Sequence, residues 1–168
     1  MASPFRFCPK CGSVNFTQTG NRAMTCADCS FEYYFNVAAA VTALIFNESN
    51  QILLTRRAFE PEKGKLDLPG GFVEFHESAT NALARELKEE LGVEVHEMQY
   101  FDSFPNQYSF SGLTIHTLDA TFIVKLKTLD FKPMDDVASV EYWKLENIPI
   151  DELAFDSTKK TIEKVLNY

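Results

Sequence analysis

The chain has 168 residues, 45% of them hydrophobic, which suits one ordinary domain with a real core plus a small addition and excludes a disordered polypeptide. Its 24 acidic residues against 16 basic ones give a formal net charge of −8, which argues against nucleic acid as a partner gripped by summed charge. No apolar signal-like core follows Met1, and the longest apolar run, Val37 to Phe46, is too short to span a bilayer, so the expected place is the cytoplasm, with no membrane partner.

All four cysteines lie near the start, as Cys8-Pro-Lys-Cys11 and Cys26-Ala-Asp-Cys29, with 14 residues between the pairs. Two CxxC knuckles at this separation predict a tetrahedral structural Zn2+ site with four thiolate ligands, although the gap is slightly short of the usual range. Two disulfides do not suit a cytosolic chain, and a redox CxxC leaves the duplication unexplained. The apolar residues around the knuckles, Phe5, Phe7, Val14, Phe16, Met24, Phe31 and Tyr33, are too few to fold alone, so metal binding is expected to supply the missing free energy. With Arg6, Lys10 and Arg22 as its cations, this ribbon over residues 1–35 is expected to be structural or dimer-forming, making a homodimer a partner to test.

Residues 36–168 read as a second domain. Val37 to Phe46 and Gln51 to Arg56, around an Asn47-Glu48-Ser49-Asn50 turn, predict a hairpin entering the main sheet. Arg56 and Arg57 are either phosphate contacts or exposed strand-end charges. Phe59 to Lys65 is expected to be a loop, and Pro69-Gly70-Gly71 sets a tight backbone path. His76 reads as a turn or surface residue.

Ser78 is a plausible N-cap and Gly92 a left-handed C′ residue, so a helix is expected over 79–91. Ala79, Leu83, Leu87 and Leu91 form its apolar stripe. Glu86 and Glu90 flank that stripe, where an unpaired carboxylate costs several kcal/mol, so they call for a cation. Glu86, Glu89 and Glu90, at i, i+3 and i+4, gather three carboxylates on one side, as hard divalent ions such as magnesium prefer. Arg85 and Glu77 are placed to form a salt bridge. The competing reading of such a run is a solvated Glu/Lys face.

After this helix, Glu94 to Phe101 predicts a strand, Asp102 to Gly112 an aromatic loop, and Leu113 to Leu126 a long strand, so the sheet is expected to be mixed. In the loop, Phe104, Tyr108 and Phe110 either stack on a ring of a substrate or fill the core. Pro133 to Val137 reads as a second acidic loop before a strand over 140–144. Asp135, Asp136 and Glu141 are candidates for a further metal ligand or for the base that activates water. A last helix is expected over 157–166.

The run Gly71, five residues, Glu77, seven residues, Arg85-Glu86, aliphatic Leu87, Lys88, Glu89-Glu90, Leu91, Gly92, aliphatic Val93 matches the Nudix box at every specified position. The chain therefore resembles a Nudix hydrolase preceded by a zinc ribbon, similar to the NADH and ADP-ribose pyrophosphatase branch. That resemblance implies an α+β fold, an α/β/α sandwich with a mixed sheet. It also implies a Mg2+- or Mn2+-dependent attack of water on the diphosphate of a small nucleotide of the NADH, ADP-ribose or nucleotide-sugar type. In the resemblance Glu86, Glu89, Glu90 and the Gly71 carbonyl are metal ligands, and Arg85 with Glu77 is a structural pair. Ser103-Phe104-Pro105-Asn106-Gln107-Tyr108 is similar in place to the Ser-Gln-Pro-Trp-Pro-Phe-Pro segment of NADH-cleaving members but does not match it. Other readings are a non-catalytic nucleotide-sensing or scaffold protein, and an RNA-directed Nudix enzyme; intact box carboxylates count against the first and the acidic composition against the second.

Overall fold

The computed structural model describes residues 5–167. The chain divides into two compact units, the first running to Val37 and the second beginning at Ala38.

In the first unit β1 (Phe16–Thr19), β2 (Ala23–Cys26) and β3 (Glu32–Tyr34) form an antiparallel sheet in that order. Each CxxC sits in a tight turn: the Gly12 N–H donates to the Cys8 carbonyl and the Ser30 N–H to the Cys26 carbonyl, both at 2.8 to 2.9 Å. Cys8, Phe16, Met24 and Cys26 are buried, with Cys29, Phe31 and Phe35 packed against them. Four residues expected in this core, Phe5, Phe7, Val14 and Tyr33, are exposed and outside its buried cluster. Phe7 is 58% and Val14 69% exposed, while the buried centre is made by Cys8, Phe16, Met24 and Cys26. Phe5 and Tyr33 instead form a surface ring cluster with Phe35.

The second unit contains two sheets. β4 (Ala38–Leu44), β7 (Gly70–Phe72), β8 (Val95–Phe110) and β9 (Leu113–Leu126) pair in the order β7-β4-β9-β8, with β4 parallel to β9 and the other pairs antiparallel. β5 (Ile52–Arg57), β6 (Leu66–Asp67) and β10 (Val137–Trp143) pair antiparallel in the order β10-β5-β6. The expected β4–β5 hairpin is thus corrected: the two strands touch only at the Phe46–Ile52 bridge and then part into different sheets. An Asn47 side chain that caps Ser49 and Gln51 makes the turn itself.

The sheet is mixed and covered on both faces. Strand side chains alternate, so Val41, Ala43, Ile45, Phe122 and Val124 pack with Ala82, Leu83, Leu87 and Leu91 of α1 (Ala79–Leu91), while Leu44, Ile52, Leu54 and Leu66 pack with Ile162 of α2 (Asp156–Leu166). Thr121 and Thr161 join hydroxyls on the α2 side. The result is the α/β/α sandwich. Among the described residues no helix is long and apolar enough to cross a membrane.

The expected aromatic loop over 102–112 is a strand. β8 continues to Phe110 and turns at Ser111-Gly112, both at positive φ. Its pairing with β9 shifts register between Val95 and Glu97 and between Tyr100 and Asp102, and runs residue by residue from Asp102 on. Pro105 is tolerated because β8 lies at the edge of the sheet, where a missing N–H leaves no neighbouring strand unpaired.

Candidate active site

Helix α1 begins where the sequence suggested: the Ser78 side chain accepts from the Asn81 N–H, and Gly92 adopts the left-handed conformation at φ 70°. Its flank meets β7. Gly71 has no side chain where the Glu86 carboxylate lies; an added Cβ would stand 2.5 Å from Glu86 Cδ and Oε1. Gly70, at φ +142°, passes so close to β4 that a Cβ would stand 2.1 Å from the Val41 carbonyl oxygen. The Gly70 N–H donates to Glu90 Oε2 at 2.9 Å.

Glu90 is only 8% exposed, and burial pushes its carboxyl up to about 8, with Glu86, Asp67 and Asp136 adding repulsion. Burial likewise raises Glu86, against the pull of Arg85. Arg85 holds Glu77 through two bonds of 3.0 Å, and also donates to Glu86 (2.9 Å), Glu89 (3.0 Å) and the Phe72 carbonyl (3.0 Å). It thereby ties the loop before α1 to the helix, and it lowers the Glu77 pKa.

The last carbonyls of α1 have no partner within the helix. The loop after β9 supplies two: the Lys132 N–H donates to Leu91 and the Met134 N–H to Glu90, at 3.0 and 2.9 Å. This docking carries Asp135 and Asp136 across to Glu86 and Glu90. A cavity of about 250 Å³ is lined by Glu74, Glu86, Glu90, Asp135 and Asp136, with Arg57 and Asp67 on its other wall. Asp67 is buried, which raises its pKa, and it accepts from Thr158 (2.7 Å), the Leu68 N–H (2.9 Å) and Arg57 (3.4 Å).

A second cavity of about 330 Å³ shares Arg57, Asp67, Leu68, Gly70, Gly71, Phe72 and Asp136 with the first. Phe110, Phe155 and Pro61 give it apolar walls, and Asn106, Thr117, Asp119 and Thr158 a polar floor.

The expected residues divide accordingly. Glu86, Glu90, Gly71 and Asp136 meet at the first cavity, with Asp135 beside them. Glu89 lies outside its lining, half exposed and bound to Arg85. Glu141 does not reach it: its carboxylate is gripped by Arg56 at 2.7 and 3.2 Å, which also lowers its pKa. Arg56 is correspondingly absent from both cavities, because adjacent strand residues face opposite ways and Arg57 takes the inward position. Phe110 lines the second cavity and Phe104 lines neither; the Tyr108 side chain lies outside the described residues. Asp67, Glu74, Asn106, Thr117 and Asp119 were not singled out in the sequence. Asp67 and Asp119 carry a readable signal, each being a lone acid inside an apolar strand run.

In the first unit the four cysteine sulfurs lie within 4.8 Å of one another, with Cys8–Cys29 at 3.7 Å and Cys11–Cys26 at 3.6 Å. These are too long for disulfides and close to the tetrahedron edge of roughly 3.8 Å that a Zn–S bond of about 2.3 Å dictates.

Residues 37–165 match the family model described as the NUDIX domain. The chain belongs to the NUDIX domain family. Among its Nudix relatives, a protein named NAD-capped RNA hydrolase NudC from Vibrio atlanticus is 26% identical over 166 residues, 98% of this chain but 60% of that protein. The NudC of Vibrio cholerae is 29% identical over 150 residues, and the chain matches 53% of its length. An ADP-ribose pyrophosphatase from Methanocaldococcus jannaschii is 35% identical over 131 residues, 77% of this chain and 73% of that protein. The crystal structure of a NUDIX hydrolase from Nitrosomonas europaea superposes with a TM-score of 0.71 at 27% identity, covering 97% of this chain and 91% of that one.

Proposed function

We propose that this chain is a Nudix pyrophosphohydrolase that cleaves the diphosphate of a nucleoside diphosphate linked to a second group, of the ADP-ribose or NADH type. One observation carries the reading: an acidic cavity that Arg57 also lines shares a wall with a larger, ring-sized cavity, room enough for a diphosphate beside its attached ring. The names of the pyrophosphatase and NudC relatives support it.

The donor set fits a hard divalent cation. Glu86, Glu90, Asp135 and Asp136 crowd one cavity whose close cations are Arg57 and Arg85, and burial penalises Glu90 unless a cation meets it. Glu86, Glu90 and the Gly71 carbonyl, with Glu89 recruited from Arg85, would hold Mg2+ or Mn2+, which when bound neutralises diphosphate charge and acidifies an attacking water. Arg57 meets a phosphate oxygen. Asp136 or Asp135 accepts the proton of the water, and Arg85 keeps Glu77 and Glu86 in place. The wall at Gly70 and Gly71 lets the phosphates approach the backbone. Catalysis is then positioning and electrostatics, and the products are a nucleoside monophosphate and a phosphorylated remainder. Cys8, Cys11, Cys26 and Cys29 would hold Zn2+ as the structural centre of an N-terminal ribbon.

The same cleavage on the NAD cap of an RNA is the second reading, favoured by the relatives' name and opposed by the net charge of −8. Turnover of ADP-ribose, NADH, nucleotide sugars and NAD-capped RNA with Mg2+ and Mn2+, followed by chromatography of the monophosphate products, tests both. No release of monophosphate from any of them refutes the proposal.

A further inference from the structure

The polar lining of the larger cavity includes hydrogen-bonded acids and hydroxyls and one buried amide, that of Asn106. Asp119 accepts from the hydroxyls of Thr117 and Ser157, and Asp67 from that of Thr158. Thr42 and Thr121 satisfy each other. Asn106 stands directly opposite Thr117 in the β8–β9 register, but the Thr117 hydroxyl is spent on Asp119. Asn106 is 9% exposed, and its Oδ1 is buried with no hydrogen-bond partner among the described residues. A buried amide oxygen left in this state costs on the order of 1–3 kcal/mol, which a ligand donor that reached it would offset. The terminal torsion of asparagine is soft, so an unheld amide turns readily toward a donor that enters the cavity.

We propose that Asn106 is a specificity-determining residue whose Oδ1 accepts an exocyclic N–H from the substrate's ring, so that the cavity selects amino- or carboxamide-bearing rings. This rests on the diphosphate-cleaving reading above, which places a ring here because the cavity adjoins the acidic one through Gly70, Gly71 and Phe72. Phe110, Phe155 and Pro61 give the cavity an apolar lining suited to a planar group, and Asn106, Thr117 and Asp119 bring acceptors to it. The shared chemistry is a ring with an exocyclic N–H; its two sources are an adenine amino group and a nicotinamide carboxamide.

Two substrate pairs distinguish them. ADP-ribose against its purine analogue lacking the 6-amino group removes the donor from the base. NAD against the 3-acetylpyridine dinucleotide removes it from the carboxamide and keeps the carbonyl. The wild-type protein is expected to prefer the donor-bearing member of one pair by tenfold or more in kcat/KM, and Asn106→Leu to bring that ratio within threefold of unity. Asn106→Asp, which keeps an acceptor, retains the preference. Asn106→Val, suited to a strand, replaces the leucine variant if that one fails to fold.

The inference is overturned if the wild type discriminates in neither pair, or if the ratio survives in the leucine or valine variant. Calorimetric binding of the same pairs runs alongside. A binding preference lost in those variants without any turnover upholds the role of Asn106 and refutes the hydrolase reading. Turnover with unaltered ratios does the reverse.

Discussion

A methyl group at position 71 separates catalysis from folding. The added Cβ stands 2.5 Å from Glu86 Cδ and Oε1 and 2.8 Å from Oε2, whereas ordinary contact begins at 3.4 Å. The carboxylate must therefore withdraw by about 1 Å, and a misplacement of that size costs on the order of 10²-fold in rate, or about 2.7 kcal/mol of barrier. Gly71 is not in the left-handed region, and what it meets is the end of a flexible side chain, so Gly71→Ala should fold. Its lower unfolded-state entropy even favours the native state by about 0.4–1 kcal/mol. Gly70→Ala is the control: at φ +142° its Cβ meets the backbone of Val41 at 2.1 Å and of Thr42 at 2.9 Å, so β7 and β4 must part. Turnover of ADP-ribose with Mg2+ and thermal melting are measured on both. Gly71→Ala should keep its Tm and lose about two orders of magnitude in kcat; Gly70→Ala should lose Tm. Gly71→Ala turning over within threefold of the wild type would refute the seat assigned to Glu86.

Four further outcomes follow from the same geometry. Arg57→Ala should raise KM for a diphosphate substrate at least tenfold, whereas Arg56→Ala and Glu141→Gln should leave KM and kcat within twofold and lower stability by about 1 kcal/mol or less, as partly exposed pairs do. Asp136→Asn and Asp135→Asn should cut kcat by 10²-fold or more at whichever acid takes the proton, on the order of a general base's usual contribution; unchanged turnover in both removes this loop from the chemistry. Glu90, raised to about 8 by burial, favours its neutral form in the folded state, so its contribution is whole below pH about 4.5 and is lost as pH rises through 8. In magnesium-free buffer the wild-type Tm should therefore fall between pH 5 and 8.5 relative to Glu90→Gln, and parallel curves would contradict the burial effect. Purified protein should carry one zinc per chain by colorimetric release, and Cys26→Ser should abolish it while melting the strand signals of the first unit in NMR spectra.

The box was legible because its logic is local: one helix, its caps and its glycine neighbour lie within a short run whose spacing sets which acids face which way. Arg85–Glu77 and the burial of Glu90 follow from that spacing. The strand over 102–110 was not legible, since Ser, Pro, Asn and Phe compose a loop unless β9 lies alongside, and that pairing is a fact about residues 113–126. Arg56 and Arg57 looked equivalent because position in a chain does not reveal which face of β5 the cavity adjoins. Glu141 looked available for the same reason; only the pairing of β10 with β5 brings it opposite Arg56. Asn106 was invisible for a subtler cause: its significance is that a neighbouring hydroxyl is already engaged, and no pattern along one strand records that.

The loop that carries Asp135 and Asp136 is fastened to α1 and β5 by main-chain bonds, from Lys132 and Met134 to the helix end and from the Ala58 N–H to the Asp136 carbonyl. Fastenings of this kind ignore side-chain identity. Positions 132 and 134 are therefore free to drift through most residue types, with proline as the forbidden one, since it removes the donor. Half of the acid cluster is thus inherited through backbone shape rather than through a recognisable string of letters, and a search of sequences by motif finds the helix half while passing over the other.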